Sequence, residues 1–304
     1  MRKLYKQVVI IICLFCFGNN IMHSQEWMKS LEIAKKLALT QNKLLFVMWE
    51  DAIQYELPVI IHNKKGDVGY VEDLLLSEEI NKMIWEYFVP VLINESAFND
   101  MYDSIKDERS YGYLQLFRDD GIKIMDVNGN ILNTAFINYN YFDFTKFVSK
   151  YALNTSYLGQ EYRIYRQNKD FFSTFFLASR YVDYASLSPR GIRPELIELS
   201  NIYFDEAEQF LETYTDGDRE ELITRTKMAR ISQNIILRKP DKVVRQLNRI
   251  NKDRLSESNS QYMAFLYFTA YKIGGDLENL NKWKTKVSSV NLKKADTIFR
   301  NLLK

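Results

Sequence analysis

The sequence predicts an α/β half followed by an all-helical half, and three observations carry that reading. Residues 43 to 49 form a short apolar run after an amphipathic stretch, the pattern of a buried central strand. Two further apolar runs flank the dipeptide Asn128-Gly129, a strong hairpin signal. From residue 157 onward, apolar and aromatic residues recur at helical spacing, and Pro and Gly mark the breaks.

Composition sets the outer limits. The chain has 304 residues, 46% hydrophobic and 26% charged, enough for two cores and unlike a disordered chain. Its 20 Tyr and 19 Phe supply large packing surfaces for core and helix interfaces. At the amino terminus Arg2, Lys3 and Lys6 precede the apolar run from Val8 to Phe17, with Gly18, Asn19 and Asn20 at its exit. That is the anatomy of a secretory signal, since a membrane-spanning helix needs about 20 apolar residues. Cleavage after Ser24 is expected. Phe15 stands before Cys16 where a lipid-attachment motif wants a small residue, so a lipoprotein is not expected.

Removal of residues 1 to 24 takes away Cys13, Cys16 and His23 and moves the net charge from +2 to −1. The mature protein is then expected in the periplasm or outside the cell, without disulfides and without stable membrane insertion. A near-neutral chain has no bulk attraction for nucleic acid.

Trp27 to Gln41 reads as an amphipathic helix ended by Asn42, and the strand over residues 43 to 49 follows at once. Residues 50 to 73 read as irregular, with Pro58, an apolar Val59-Ile60-Ile61 patch and a turn-rich segment from Asn63 to Asp67, and are open to a hairpin-like excursion. Ser77 reads as an N-cap with Glu78 and Glu79 in the first turn. Phe88 to Ile93, interrupted by Pro90, reads as an edge or partly exposed strand. The polar stretch from Asn94 to Arg109 is expected to be partly helical. Ile122 to Leu132 reads as the hairpin, and Phe142 to Tyr151 as a closing helix. In the second half, helices are expected over 157–168, 171–184, 194–214, 219–237, 241–250, 260–273 and 276–287, stacked as a bundle or a short solenoid.

Local texts sharpen the first half. Trp27, Leu31, Ala34, Ala38 and Asn42-Lys43 before the strand, and Ile124 to Ile131 around Asp126-Val127-Asn128-Gly129, occur in the order of an exported thioredoxin-like domain. Residues 26 to 152 resemble that family. The resemblance implies a central sheet flanked by helices, with domains at 25–153 and 154–304. It also exposes two departures. Where the family places Cys-x-x-Cys, this chain reads Trp49-Glu50-Asp51-Ala52-Ile53-Gln54, and where a cis-proline is expected it reads Phe117 to Gly121, near Asp120. Disulfide exchange needs a thiolate, so the resemblance implies the fold without its redox chemistry.

The expected function is therefore non-enzymatic: a binding or scaffold module for an envelope protein or an extended peptide, with no cofactor and no metal. The family binds extended polypeptide beside the redox position, which makes Trp49, Glu50, Asp51, Ile60, His62, Asp119 and Asp120 the candidate contact residues. His62 is open to a general-base or pH-sensitive role, but a solvated loop histidine is the expectation. The alternative function is a carboxylate-dependent hydrolase using Glu50/Asp51 and Asp119/Asp120. Structural zinc is not expected, because its sites need cysteine or several histidines.

Overall fold

The computed structural model describes residues 26–63, 65–133 and 142–303. The expected signal at residues 1 to 24 lies outside the described residues. No helix among the described residues is long and apolar enough to cross a membrane.

Helix α1 (Leu31–Gln41) begins where the Ser30 side chain accepts from the Ile33 N–H and ends at Asn42, in the left-handed region at φ 55. It starts later than its apolar spacing suggests, because Met28 is taken into a parallel bridge with Val91. Trp27 instead packs edge-on against Phe46 and donates its indole N–H to Asn81 at 2.8 Å. Strand β1 (Leu44–Trp49) is buried along its whole length. A 3₁₀ turn over Glu50–Gln54 leads into β2 (Val59–His62) and β3 (Val68–Val71), which pair antiparallel as the hairpin-like excursion expected in this stretch. Helix α2 (Glu78–Tyr87) is capped by Ser77, and β4 (Phe88–Ile93), α3 (Glu95–Ile105), α4 (Tyr111–Arg118) and β5 (Lys123–Met125) follow. Strand β6 (Phe142–Asp143) opens onto α5 (Phe144–Tyr151), whose Phe144, Phe147, Val148 and Tyr151 are buried as their spacing requires.

Two small three-stranded sheets result, in the orders β4-β1-β5 and β3-β2-β6. Strand β1 pairs parallel with β4 and antiparallel with β5. Strand β4 is buried rather than partly exposed, and Pro90 sits within it without breaking a bond to β1. The reason is directional. Pro90 O accepts from Met28 N–H and Met28 O accepts from Leu92 N–H, so this side of β4 faces outward, and the N–H that proline lacks belongs to that side.

The hairpin after β5 also corrects its expected form. Of Asn128 and Gly129, only Gly129 takes positive φ, at 92°. Gly129 N–H donates to Asp126 O and Asp126 N–H to Asn130 O, so the turn runs from Asp126 and Gly129 supplies a bulge. The return strand is reduced to one bridge between Met125 and Ile131.

The second half consists of α6 (Gly159–Gln167), α7 (Phe171–Leu187), α8 (Arg193–Glu212), α9 (Arg219–Ile236), α10 (Pro240–Leu247), α11 (Glu257–Gly274), α12 (Leu277–Lys284) and α13 (Ser289–Leu302). Helix α13 was not among the expected helices, although Ser288 caps it and Ala295, Ile298 and Leu302 form its buried stripe. It packs back on α7, with Lys294 on Asp183 at 3.0 Å, and Arg193 of α8 donates to Asn301 O at 2.8 Å. That return closes the helices into a bundle rather than an open solenoid.

The two halves meet at one buried carboxylate. Asp126 is 0% exposed, and its Oδ1 accepts from the Asn128 and Asn130 N–H groups at 2.9 Å each. Its Oδ2 accepts from Tyr181 O–H at 3.1 Å and from Tyr203 O–H, while Asn128 and Asn130 donate their side-chain amides to the Tyr203 oxygen. Burial pushes this carboxyl upward, and the four donors oppose that rise.

Replacing Asp126 by Ala leaves two tyrosine hydroxyls and two turn N–H groups without their acceptor, and the unfolding free energy should fall by about 3 kcal/mol. Asn128→Ala removes one donor only and should cost about 1 kcal/mol. Gly129→Ala faces both positive φ and Lys35 Cε at 3.1 Å, and should cost about 1–2 kcal/mol. Urea denaturation of the three variants checks this order.

Candidate functional site

The carboxyl end of β1 opens on two clefts that share Asp120. The first, of about 230 Å³, takes Glu50 and Asp51 from the 3₁₀ turn, Glu95 from the first turn of α3, and Arg118 and Asp120 from the end of α4 and the loop after it. The second, of about 310 Å³, has Met48, Leu57 and Ile122 as apolar walls, with Tyr55 and Glu56 at its side. Tyr55 is 77% exposed.

Trp49 forms the floor of the first cleft. It is 5% exposed, held edge-on by Phe98 at 4.9 Å and tilted against Phe117 at 5.0 Å. Its indole N–H is shared between Phe117 O and Asp119 O, at 3.0 Å each. The tryptophan thus fixes the Phe117-to-Asp119 backbone instead of projecting outward as an anchor. Arg118 donates to the Tyr102 hydroxyl and lies over that ring at 4.4 Å, without a carboxylate partner among the described residues.

The loop that carries Asp120 is clamped from below by Lys123. This side chain is 3% exposed, and its Nζ donates to Gly121 O at 2.6 Å and to Asp119 O, with Asp119 Oδ1 at 3.5 Å. Burial pulls the lysine down to about 8, against the opposing pull of Asp119. Asp119 itself turns inward, its Oδ1 accepting from Gly121 N–H at 2.7 Å, and lines neither cleft. The peptide bonds of the described residues contain no cis form.

Ile60 and His62 also lie away from the clefts, on β2. His62 is not a loop residue: its Nε2 is 3.0 Å from Asp143 Oδ2, and its backbone N–H donates to Thr145 Oγ1 at 2.8 Å. Asp143 caps α5. Burial raises the Asp143 carboxyl, but the Lys146 ammonium and N–H, together with His62, outweigh it and hold the group low. This is a structural pair between β2 and α5. Of the seven predicted residues, Trp49, Glu50, Asp51 and Asp120 are brought together, while Asp119, Ile60 and His62 are not.

Glu95, Arg118, Tyr55 and Lys123 were not expected here. Glu95 had a readable signal, since it follows a parallel strand at its carboxyl end, where open α/β sheets place their ligands. Lys123 had none, because its alternation with Ile122 and Ile124 reads as an outward strand position. Among the described residues, no three His, Cys, Asp or Glu side chains converge as a metal-ligand group.

A lysine with a lowered folded value binds fewer protons in the native state than in the unfolded chain between about pH 8 and pH 10. Stability therefore rises with pH across that window as the buried charge is lost. Thermal melts from pH 7.5 to 9.5 should show wild type gaining about 1–3 kcal/mol relative to Lys123→Met. A flat difference would place the lysine in water. Comparison of the chain with family models, curated proteins and solved structures returned no match.

Proposed function

We propose that this chain is an exported, redox-inactive thioredoxin-like protein that holds a polypeptide of the cell envelope across the carboxyl end of β1. The observation that carries the reading is the pair of joined clefts at the position where the resemblance puts polypeptide. Several features of the fold support it. Strand β1 is central, its crossover to β4 is parallel, and β5, the Asp-x-Asn-Gly turn and α5 follow in the order that such a domain requires. Residues 25 to 304 contain no cysteine, so no thiolate is available there for exchange. Residues 25–153 form the binding module in this reading, and 154–304 support it.

Charge narrows the occupant. Glu50, Asp51, Glu95 and Asp120 face one cleft with Arg118 as its single cation, which favours a basic segment. The apolar walls and exposed Tyr55 of the second cleft suit an aromatic or aliphatic side chain on the same peptide.

A labelled extended peptide of alternating Lys and aromatic residues is the direct probe, with its uncharged Gln-substituted counterpart as control. Fluorescence anisotropy should show binding of the basic peptide only, weakened at least tenfold in the variant Glu50→Gln, Asp51→Asn, Asp120→Asn. A folded protein that binds neither peptide overturns the proposal. The presence of Glu50, Asp51 and Asp120 along one cleft favours a second reading, hydrolysis by paired carboxylates. Turnover of oligosaccharide or peptide substrates, abolished in Asp120→Asn, would establish that reading in place of the first.

A further inference from the structure

A groove of about 870 Å³ lies in the other half of the molecule, between α8 and α9 with α10 at its end. Its floor is apolar, with Ile197, Leu211 and Ile231 nearly fully buried. Its cations fall into two groups. Arg230 is committed to Glu208 at 2.8 Å and Asp205 at 2.5 Å, and Arg219 to Leu211 O at 2.7 Å. Lys227, Lys239, Lys242 and Arg249 are exposed on the same groove, and their side chains make no ion pair or hydrogen bond among the described residues.

Local helix electrostatics runs against two of the four. Lys239 occupies the N-cap of α10 and Lys242 its first turn, where the helix dipole disfavours positive charge. Nearby, Arg238 holds a positive φ of 57°, a conformation that normally falls to glycine. The result is a cluster of like charge set on an unfavourable helix end.

The amides of the floor supply an independent observation. Gln233 and Asn234 are 7% and 8% exposed. Gln233 Nε2 donates to Ser200 Oγ at 2.8 Å and Asn201 Oδ1 at 2.7 Å, and Asn234 Nδ2 donates to Gln246 Oε1 at 3.1 Å. Their carbonyl oxygens line the groove with no donor among the described residues. Amide oxygens that open onto the groove suit the backbone N–H groups of an extended chain. A nucleic acid backbone offers no such donor, so among polyanions the floor discriminates.

We propose that the α8–α9–α10 groove is a second binding site, for an extended acidic polypeptide segment. The four uncommitted cations meet its carboxylates, Gln233 and Asn234 accept from its backbone, and the apolar floor receives alternate side chains. The site is separate from the acid-lined clefts at β1 and, with six cations against the carboxylates of Glu198, Glu208 and Glu212 in its lining, net positive, so each stands or falls without the other.

The test uses the full chain and a fluorescein-labelled 12-residue peptide of alternating Glu and Leu. Controls are a peptide with Gln replacing Glu and a single-stranded oligonucleotide of equal charge. Anisotropy should report micromolar binding of the acidic peptide, at least tenfold weaker in Lys239→Glu, Lys242→Glu and unchanged in the Glu50, Asp51, Asp120 variant. The lysines are exposed, and circular dichroism will show that the charge-reversed protein is folded. Equal binding of the Gln peptide, an unaffected double variant, or an oligonucleotide bound as tightly as the peptide would each overturn the proposal.

Discussion

The structure depends on the burial of Asp126. A carboxylate removed from water is strongly unfavourable unless donors replace its hydration, and here they come from both halves of the chain. The turn supplies two backbone N–H groups, and α7 and α8 supply the hydroxyls of Tyr181 and Tyr203. Around them Tyr162 bonds to Tyr181, and Tyr165 packs edge-on to Tyr203 while donating to Glu206. Neither half satisfies this network alone. An α/β region without the helices would bury an unsated charge or expose its hairpin, and the helices alone would hold hydroxyls without an acceptor. Part of the high tyrosine content finds its physical reason here, in rings that fill space and also deliver a proton donor.

The elements that the sequence made legible are those governed by local rules. Asn42 and Ser77 end and start helices where their side chains and backbone freedom permit, and the apolar run at 44–49 is buried throughout. What stayed hidden was set by distant partners. Pro90 suggested exposure because a sequence does not show which side of a strand its missing N–H occupies. Helix α1 starts late because Met28 belongs to a bridge with a residue far along the chain. His62 looked like a solvated residue because its side-chain partner Asp143 comes some 80 residues later, although its strand pairing with Val68 is local.

The candidate site shows the same division. Glu50, Asp51 and Asp120 were readable because they stand where an α/β sheet places its ligands. Trp49 ends β1 and lines the cleft with its ring buried as a floor, since an aromatic at a strand end reads equally as anchor or floor. Its burial closes the space beneath the loop, and Lys123 fixes that loop by bonds to carbonyl oxygens. The surface near β1 is consequently a rigid acidic ledge over a filled core, while the helical groove is a basic trough with open amides. Opposite charge at two separated surfaces gives the molecule a polarity that its near-zero net charge conceals.

The bridge from Met28 to β4 has a consequence for solubility. Among the described residues, two hydrogen bonds cover that flank of the sheet, and both come from the short segment before α1. If a protease trimmed the chain past Met28, Leu92 N–H and Pro90 O would face water as an open template for another strand. Proline would still deny the newcomer one of its bonds, so the bare flank would be sticky but poorly matched to a regular fibril. The segment around Met28 thus acts as a cover on an otherwise adhesive margin.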